Sequence, residues 1–193
     1  MLPVSKKDDR YEVRLFGIDN GTDTVGFGCG DYNIITGELD ILYCESYSVP
    51  RSYTQTHEGM ISELGPMRTR LKIIEDVFME LVHDYEPDIV GCESPFAHMR
   101  PHAFSTLTLA LDMFDRAVLK YSPLIEFYKI SPGSAKKATC PKGKYTSKKE
   151  EVHEYLLQRT DIRSTNGIDL KDVGPDGLDS VTIMLALKDF IFV

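Results

Sequence analysis

The sequence predicts an α/β fold: a five-stranded mixed sheet, with strands one to three in an antiparallel meander and parallel strands beyond, flanked by helices. Three observations predict it. First, 193 residues with 42% hydrophobic content can bury one good core, which favours a single domain. Second, apolar residues between positions 11 and 49 alternate with polar ones or run together, in stretches broken at Asn20-Gly21 and Thr36-Gly37 as in consecutive hairpins. Third, beyond Gly65 segments with apolar residues at three- and four-residue spacing alternate with short apolar runs, as helices crossing over between parallel strands do.

Residues 1–10 are polar and read as a flexible tail, leaving 11–193 as the domain. Tyr11 to Ile18 alternates, then turns fully apolar like a central strand, and ends in Asp19. Thr24 to Ile35 follows as its antiparallel neighbour and Glu38 to Val49 as the third strand. Asp19 can simply open a tight Asn20-Gly21 turn, since Asp and Asn before Gly are ordinary turn residues. An ionised carboxylate at the end of a buried strand is nevertheless costly unless a metal or donor faces it, which makes Asp19 the first candidate for chemistry. Pro50 to Gly65 is polar and reads as an irregular surface excursion.

From Met67 to Asp84, Leu71, Ile74, Val77, Phe78, Leu81 and Val82 fall on one helical stripe opposite charged residues. Asp88 to Glu93, DIVGCE, is then a short buried strand ending in a second acid. A right-handed crossover puts the C-terminal ends of parallel strands on one edge, so Glu93 can sit beside Asp19. Ala103 to Lys120 is another helix, whose stripe of Leu107, Leu111 and Phe114 suits either the core or a subunit interface. Leu124 to Ile130 is the fifth strand. His98 and His102 stand at zinc spacing, but Pro101 between them breaks the helix that would aim both at one ion.

Lys129 to Lys149 carries seven lysines and no acid, in a chain of net charge −8. Such a run can be a solvated loop, yet Gly133, Pro141 and Gly143 among the lysines make a flexible cationic segment suited to phosphates. A helix over Val152 to Leu157 and a polar loop from Arg159 to Gly174 lead to the last helix, which starts near Pro175. Asp176 and Asp179 project from nearly the same face of it, while Leu178, Val181 and Leu185 line its apolar side. Asp176 alone suits the positive end of a helix dipole; Asp179, one turn deeper among apolar neighbours, has no such explanation.

The acidic balance argues against indiscriminate nucleic-acid binding without excluding a local basic surface. No run is long and apolar enough for a membrane helix, and the start MLPVSKKDDR lacks the apolar region of a signal peptide, so a cytoplasmic, soluble protein with no membrane partner is expected. Cys29, Cys44, Cys92 and Cys140 form no CxxC and read as reduced and mostly buried.

GIDNGTDTVGFG, IVGCESPF, ISPGSAKKATCPKGKYTSKKEEV and DGLDSVTIMLAL, in this order from Leu15 to Leu187, resemble the four blocks of the RuvC family of Holliday-junction resolvases, within the ribonuclease-H-like nuclease superfamily. The resemblance implies that Asp19, Glu93, Asp176 and Asp179 are metal-binding catalytic residues, that Lys149 stands near the scissile phosphate with Lys136 or Lys137 nearby, and that Phe96 faces the junction centre. Lys142, Lys144 and Lys148 complete the expected DNA-binding set. Departures from the family pattern are Ser94-Pro95 after the glutamate, the long polar 50–65 stretch and the overall acidity.

Clustered carboxylates repel unless cations hold them, and oxygen-only ligands suit Mg²⁺, or Mn²⁺ in its place, better than zinc. The expected protein is a structure-selective DNA endonuclease with two such ions per active site, acting on four-way and other branched DNA as a homodimer, without a nucleotide cofactor. GIDNGT is also similar to the phosphate-binding turn of actin-like ATPases, but those need a second such domain and a second glycine-rich loop. Action on RNA or RNA–DNA hybrid, or non-catalytic binding of branched DNA on the same fold, remain the alternatives.

Overall fold

Hydrogen-bonded ladders join seven strands into a mixed sheet among the residues that the computed structural model describes, 6–7, 10–49, 57–96, 100–165 and 167–192. The strands are β1 (Lys6–Lys7), β2 (Arg10–Asp19), β3 (Thr24–Asn33), β4 (Leu39–Ser48), β5 (Ile89–Glu93), β6 (Glu126–Ile130) and β7 (Ile162–Ser164). Their order is β6-β5-β2-β3-β4-β7, with β1 paired to the start of β2. β2, β3 and β4 form the expected antiparallel meander, and β5 and β6 extend it in parallel from β2. The helices are α1 (Glu58–Leu64), α2 (Pro66–Tyr85), α3 (Pro101–Tyr121), α4 (Pro132–Thr139), α5 (Lys149–Leu157) and α6 (Pro175–Phe192).

Alternation along the strands divides the core between two faces. On one, α2 and α3 cover Phe16, Phe27 and Val90; Phe78 meets Phe16 at 5.6 Å and Phe114 at 5.1 Å between ring centroids. On the other, α6 packs with Ala135 of α4 and Leu156 of α5 over Leu15, Ile41 and Ile89. A register shift opposite Cys29 and Gly30 inserts Leu42 as an extra residue in β4, so Ile41 and Cys44 both face the α6 side. The four cysteines are free and buried, as expected of reduced thiols.

Several expectations are corrected. The sheet gains β1 and β7 over the five strands expected, because strands of two and three residues carry no readable period; β7 lies inside the supposed polar loop and pairs in parallel with the start of β4. The polar 50–65 stretch contains helix α1, with residues 50–56 outside the described ones. The cationic segment contains α4, started by Pro132 and capped where the Ser131 hydroxyl accepts from the Ser134 amide at 3.1 Å. No tight Asn20-Gly21 turn forms: β2 and β3 are joined by residues 20–23, with neither Asn20 nor Gly21 at the positive φ such a turn requires. Leu111 and Phe114 are buried, which bears out the core reading of the α3 stripe over the interface one; Phe104 and Leu109 are that helix's exposed apolar residues nearest its start. Pro101 opens α3, and His98 lies outside the described residues.

Candidate active site

The site is assembled where α6 crosses the sheet. A Cβ at Gly17 would stand 2.1 Å from the Ser180 carbonyl oxygen and one at Gly26 would stand 1.8 Å from that of Asp176, distances that no side chain tolerates. Glycine in β2 and β3 therefore lets the helix backbone lie directly on the strands. β4 fixes the first turn of α6: the Gly177 amide donates to Ser46 Oγ at 2.9 Å, and the Cys44 thiol donates to the Gly177 carbonyl at 3.1 Å.

Asp19 ends β2 opposite Gly26, and Glu93 ends β5, whose preceding residue Cys92 pairs with Ile18. Asn20 locks these strand ends to α3 by donating from its amide nitrogen to the carbonyls of Leu107 at 2.9 Å and Glu93 at 3.4 Å. Carboxylate oxygens of Asp19, Asp176 and Asp179 all lie within 4.8 Å of one another. Glu93 stands outside that group, at the end of the neighbouring strand, where its charge and that of Asp19 act on each other. Burial, then the charges of Glu93 and Asp179, pushes the Asp19 pKa up to about 8. Burial also raises that of Glu93, helped by Asp179 and opposed by Lys136 and Lys149.

Such a cluster fits a divalent cation. The donors are carboxylate oxygens alone, hard ligands of the kind Mg²⁺ and Mn²⁺ prefer, and an ion among them would offset both the burial and the neighbouring negative charges that raise the Asp19 pKa.

Lys149, at the start of α5, pairs with Asp179 and, at 3.5 Å, with Asp176. Burial works against its charge, but the bond to Asp179 and the charges of Asp179, Asp19 and Asp176 outweigh it and hold the ammonium above the ordinary lysine range. One turn further on, His153 Nε2 lies 2.7 Å from Asp179 Oδ1, with its side chain only 13% exposed. Sequence reasoning missed His153; its four-residue step from Lys149 on one helix face was the available signal.

A pocket of about 210 Å³ joins Glu93, Asp179 and Lys149 to Lys136 and Phe96. Lys136 is steadied by donating to the Ser147 carbonyl at 2.8 Å, and Phe96 is 50% exposed. The remaining lysines do not line this pocket. Lys137 and Lys142 line a separate cavity, Lys144 is exposed on the adjoining loop, and exposed Lys148 pairs with Glu151 at 2.7 Å.

No family model matches the chain. It is similar to the crossover junction endodeoxyribonuclease RuvC of Methylobacillus flagellatus, 35% identical over 96 residues, which is 50% of this chain and 47% of that protein. It is also similar to the RuvC of Dehalococcoides mccartyi, 28% identical over 157 residues, covering 80% of this chain and 84% of that one. Among solved structures, Thermus thermophilus RuvC in complex with a Holliday junction substrate superposes with a TM-score of 0.64 at 18% identity, over 90% of this chain and 92% of that one. The fold is thus the ribonuclease-H-like fold of the resolvases. No helix among the described residues is long and apolar enough to cross a membrane.

Proposed function

We propose, from its similarity to RuvC proteins and its resolvase fold, that this chain is of the RuvC family: a divalent-metal-dependent, structure-selective DNA endonuclease that resolves four-way junctions by paired phosphodiester hydrolysis. The observation that carries the reading is the meeting of Asp19, Asp176 and Asp179 within 4.8 Å at the C-terminal end of the central strand β2, beside a pocket shared by Lys149 and an exposed aromatic residue.

Asp19, Asp176 and Asp179, with Glu93 beside Asp19, would hold the metal. Bound there, a pair of Mg²⁺ or Mn²⁺ ions supplies activation of a water and charge stabilisation of the leaving oxygen. The protein's own part is positional and electrostatic. Lys149, held by two of the acids, offers its ammonium to a phosphate oxygen as negative charge builds there, and Lys136 adds positive potential at the pocket beside Glu93. Phe96 offers a stacking surface to a base at the branch, where unpairing is cheap. Two symmetric cuts call for two such sites, which a two-fold homodimer would present to a pseudo-two-fold junction.

The test is to incubate the protein and Mg²⁺ with labelled four-way junction, linear duplex and RNA–DNA hybrid. Paired, symmetric cuts confined to the junction are expected. Preferential cutting of the hybrid would overturn the substrate assignment, and binding of the junction with no cut in Mg²⁺ or Mn²⁺ would overturn the enzyme. Sedimentation alongside tests the dimer: a monomer that still makes paired cuts would remove it.

A further inference from the structure

Of the seven lysines between positions 129 and 149, four are engaged. Lys129 pairs with Asp115, Lys136 with the Ser147 carbonyl, Lys148 with Glu151, and Lys149 with the site acids. Lys137, Lys142 and Lys144 have no ion-pair or hydrogen-bond partner for their side chains among the described residues. Two of those three, Lys137 and Lys142, line one cavity of about 660 Å³, together with Tyr145. Tyr145 is 60% exposed and makes no ring contact or hydrogen bond through its side chain among the described residues, which is a poor use of a large aromatic side chain unless something stacks on it.

The cavity adjoins the acidic site. Pro132 and Lys136 line the site pocket, whereas their chain neighbours Gly133 and Lys137 line the cavity, so α4 is the ridge between the two. The far wall is the 140–145 loop, turned at Gly143 (φ 82°) with the Lys144 amide donating to the Pro141 carbonyl at 2.9 Å. Asp189 contributes an acid to the rim, but Lys188 holds its carboxylate at 2.8 Å. Free cations beside a bare aromatic face suit a nucleic-acid strand: ammonium groups for the phosphodiester, ring for the base.

We propose that this cavity is a nucleotide subsite, distinct from the cleavage pocket, in which Lys137 and Lys142 hold the phosphodiester backbone of a DNA strand and Tyr145 stacks on an unpaired base. It rests on the branched-DNA reading of the neighbouring site and extends it. A strand lying in both pockets crosses α4, and the subsite grips it away from the scissile bond. An unpaired nucleotide fits the aromatic face best, because a base within a duplex has both faces already stacked.

The test uses single-stranded oligonucleotide carrying one 2-aminopurine, alongside four-way junction. Wild-type protein should quench the fluorophore. Tyr145→Ala should lose the quench and weaken oligonucleotide binding about tenfold, and Tyr145→Trp should recover both. The Lys137→Ala, Lys142→Ala double variant should flatten the salt dependence of oligonucleotide binding by about 1.4 units, the share of two phosphates on a single strand, and Lys144→Ala should act less. Tyr145 and these lysines are exposed, so unchanged melting temperatures are expected throughout. Unaltered binding by Tyr145→Ala, or equal losses from Lys144→Ala, would overturn the subsite even if junctions are cut. Quenching that depends on Tyr145 in a protein that cuts no junction would uphold the subsite and overturn the nuclease. Absence of oligonucleotide binding by the wild type would overturn the subsite outright.

Discussion

Gly26 of β3 lies directly under the Asp176 carbonyl of α6, where a Cβ would stand 1.8 Å from the oxygen. With Gly17 beneath the next turn, this bare strand surface lets the two acids of α6 reach Asp19. Gly26→Ala must shift backbone, not a flexible side-chain tip, and overpacking of this kind costs about 1–3 kcal/mol. A melting temperature lowered by several degrees and weaker Mn²⁺ binding by calorimetry are expected. Gly59→Ala on α1, where a Cβ meets nothing within 4 Å, is the control and should lower neither.

Replacing the acids by their amides should separate binding from cutting. Asp19→Asn, Glu93→Gln and Asp179→Asn each remove a charge without changing shape, and junction cleavage should fall by roughly three orders of magnitude or more, as expected for loss of electrostatic stabilisation at a reacting phosphate. Junction affinity measured in Ca²⁺ should change little. Asp176→Asn should lose less, because this residue, half-buried in the first turn of α6, also serves the helix dipole. Near wild-type cutting by any of the first three removes that residue from the site.

Asp19 and Glu93 give the metal-free protein a distinctive pH dependence. Both carboxyls have pKa values above their ordinary range in the folded state, that of Asp19 at about 8. The unfolded chain releases these protons near its ordinary carboxylate pKa, so the folded state holds more protons between roughly pH 4 and 8 and loses stability as pH rises through that window. The melting temperature without divalent ions should therefore drop by several degrees from pH 5 to pH 8. Mg²⁺ should restore it at pH 8, and Asp19→Asn should abolish most of the slope. A flat profile for the wild type would show that Asp19 is ionised throughout.

His153 of α5 holds Asp179 Oδ1 through its Nε2 at 2.7 Å. His153→Ala frees that carboxylate to turn towards Lys149 alone. The concentration of Mn²⁺ giving half-maximal binding should rise about tenfold, in the range seen when partners of metal ligands are removed, and His153→Gln should recover part of it. An unchanged Mn²⁺ affinity with a lowered melting temperature would reduce His153 to a packing role.

Phe96 tests the reading of the branch. Phe96→Ala should lower junction cleavage by roughly tenfold or more while leaving the melting temperature within a degree or two, because the residue is half exposed. Phe96→Tyr and Phe96→Trp should retain much of the activity. A large loss of stability in Phe96→Ala would contradict that exposure.

The long periodic elements and the acids at their ends were legible from the residues alone. The apolar run into Asp19, the run into Glu93 and the Asp176, Asp179 step at the start of the last helix each lie on a strong local pattern, and parallel pairing brings their ends together. What stayed hidden depends on contacts distant in sequence or on patterns too short to count. β7 exists because three residues meet β4 across more than a hundred positions. α4 was masked by glycine and lysine, although Ser131-Pro132 is an ordinary helix start. The lysine run could not be divided from sequence, since which of its members find partners depends on the turns of α4 and α5 and on where α6 stands. α6 itself read as amphipathic but is buried continuously from Leu178 beneath to Leu187 save for Asp179, because α4 and α5 cover the side that α6 turns away from the sheet.

That burial bears on how the site can fail. A helix enclosed on nearly every side exchanges its amide hydrogens only when the whole domain opens, whereas exposed helices such as α1 exchange through local fraying. The amides around Asp179 should therefore be among the slowest in the protein. Asp176 and Asp179 are thus carried by the last helix to melt, and a cation arriving at them meets ligands whose ordering entropy was spent in folding, not at the moment of binding.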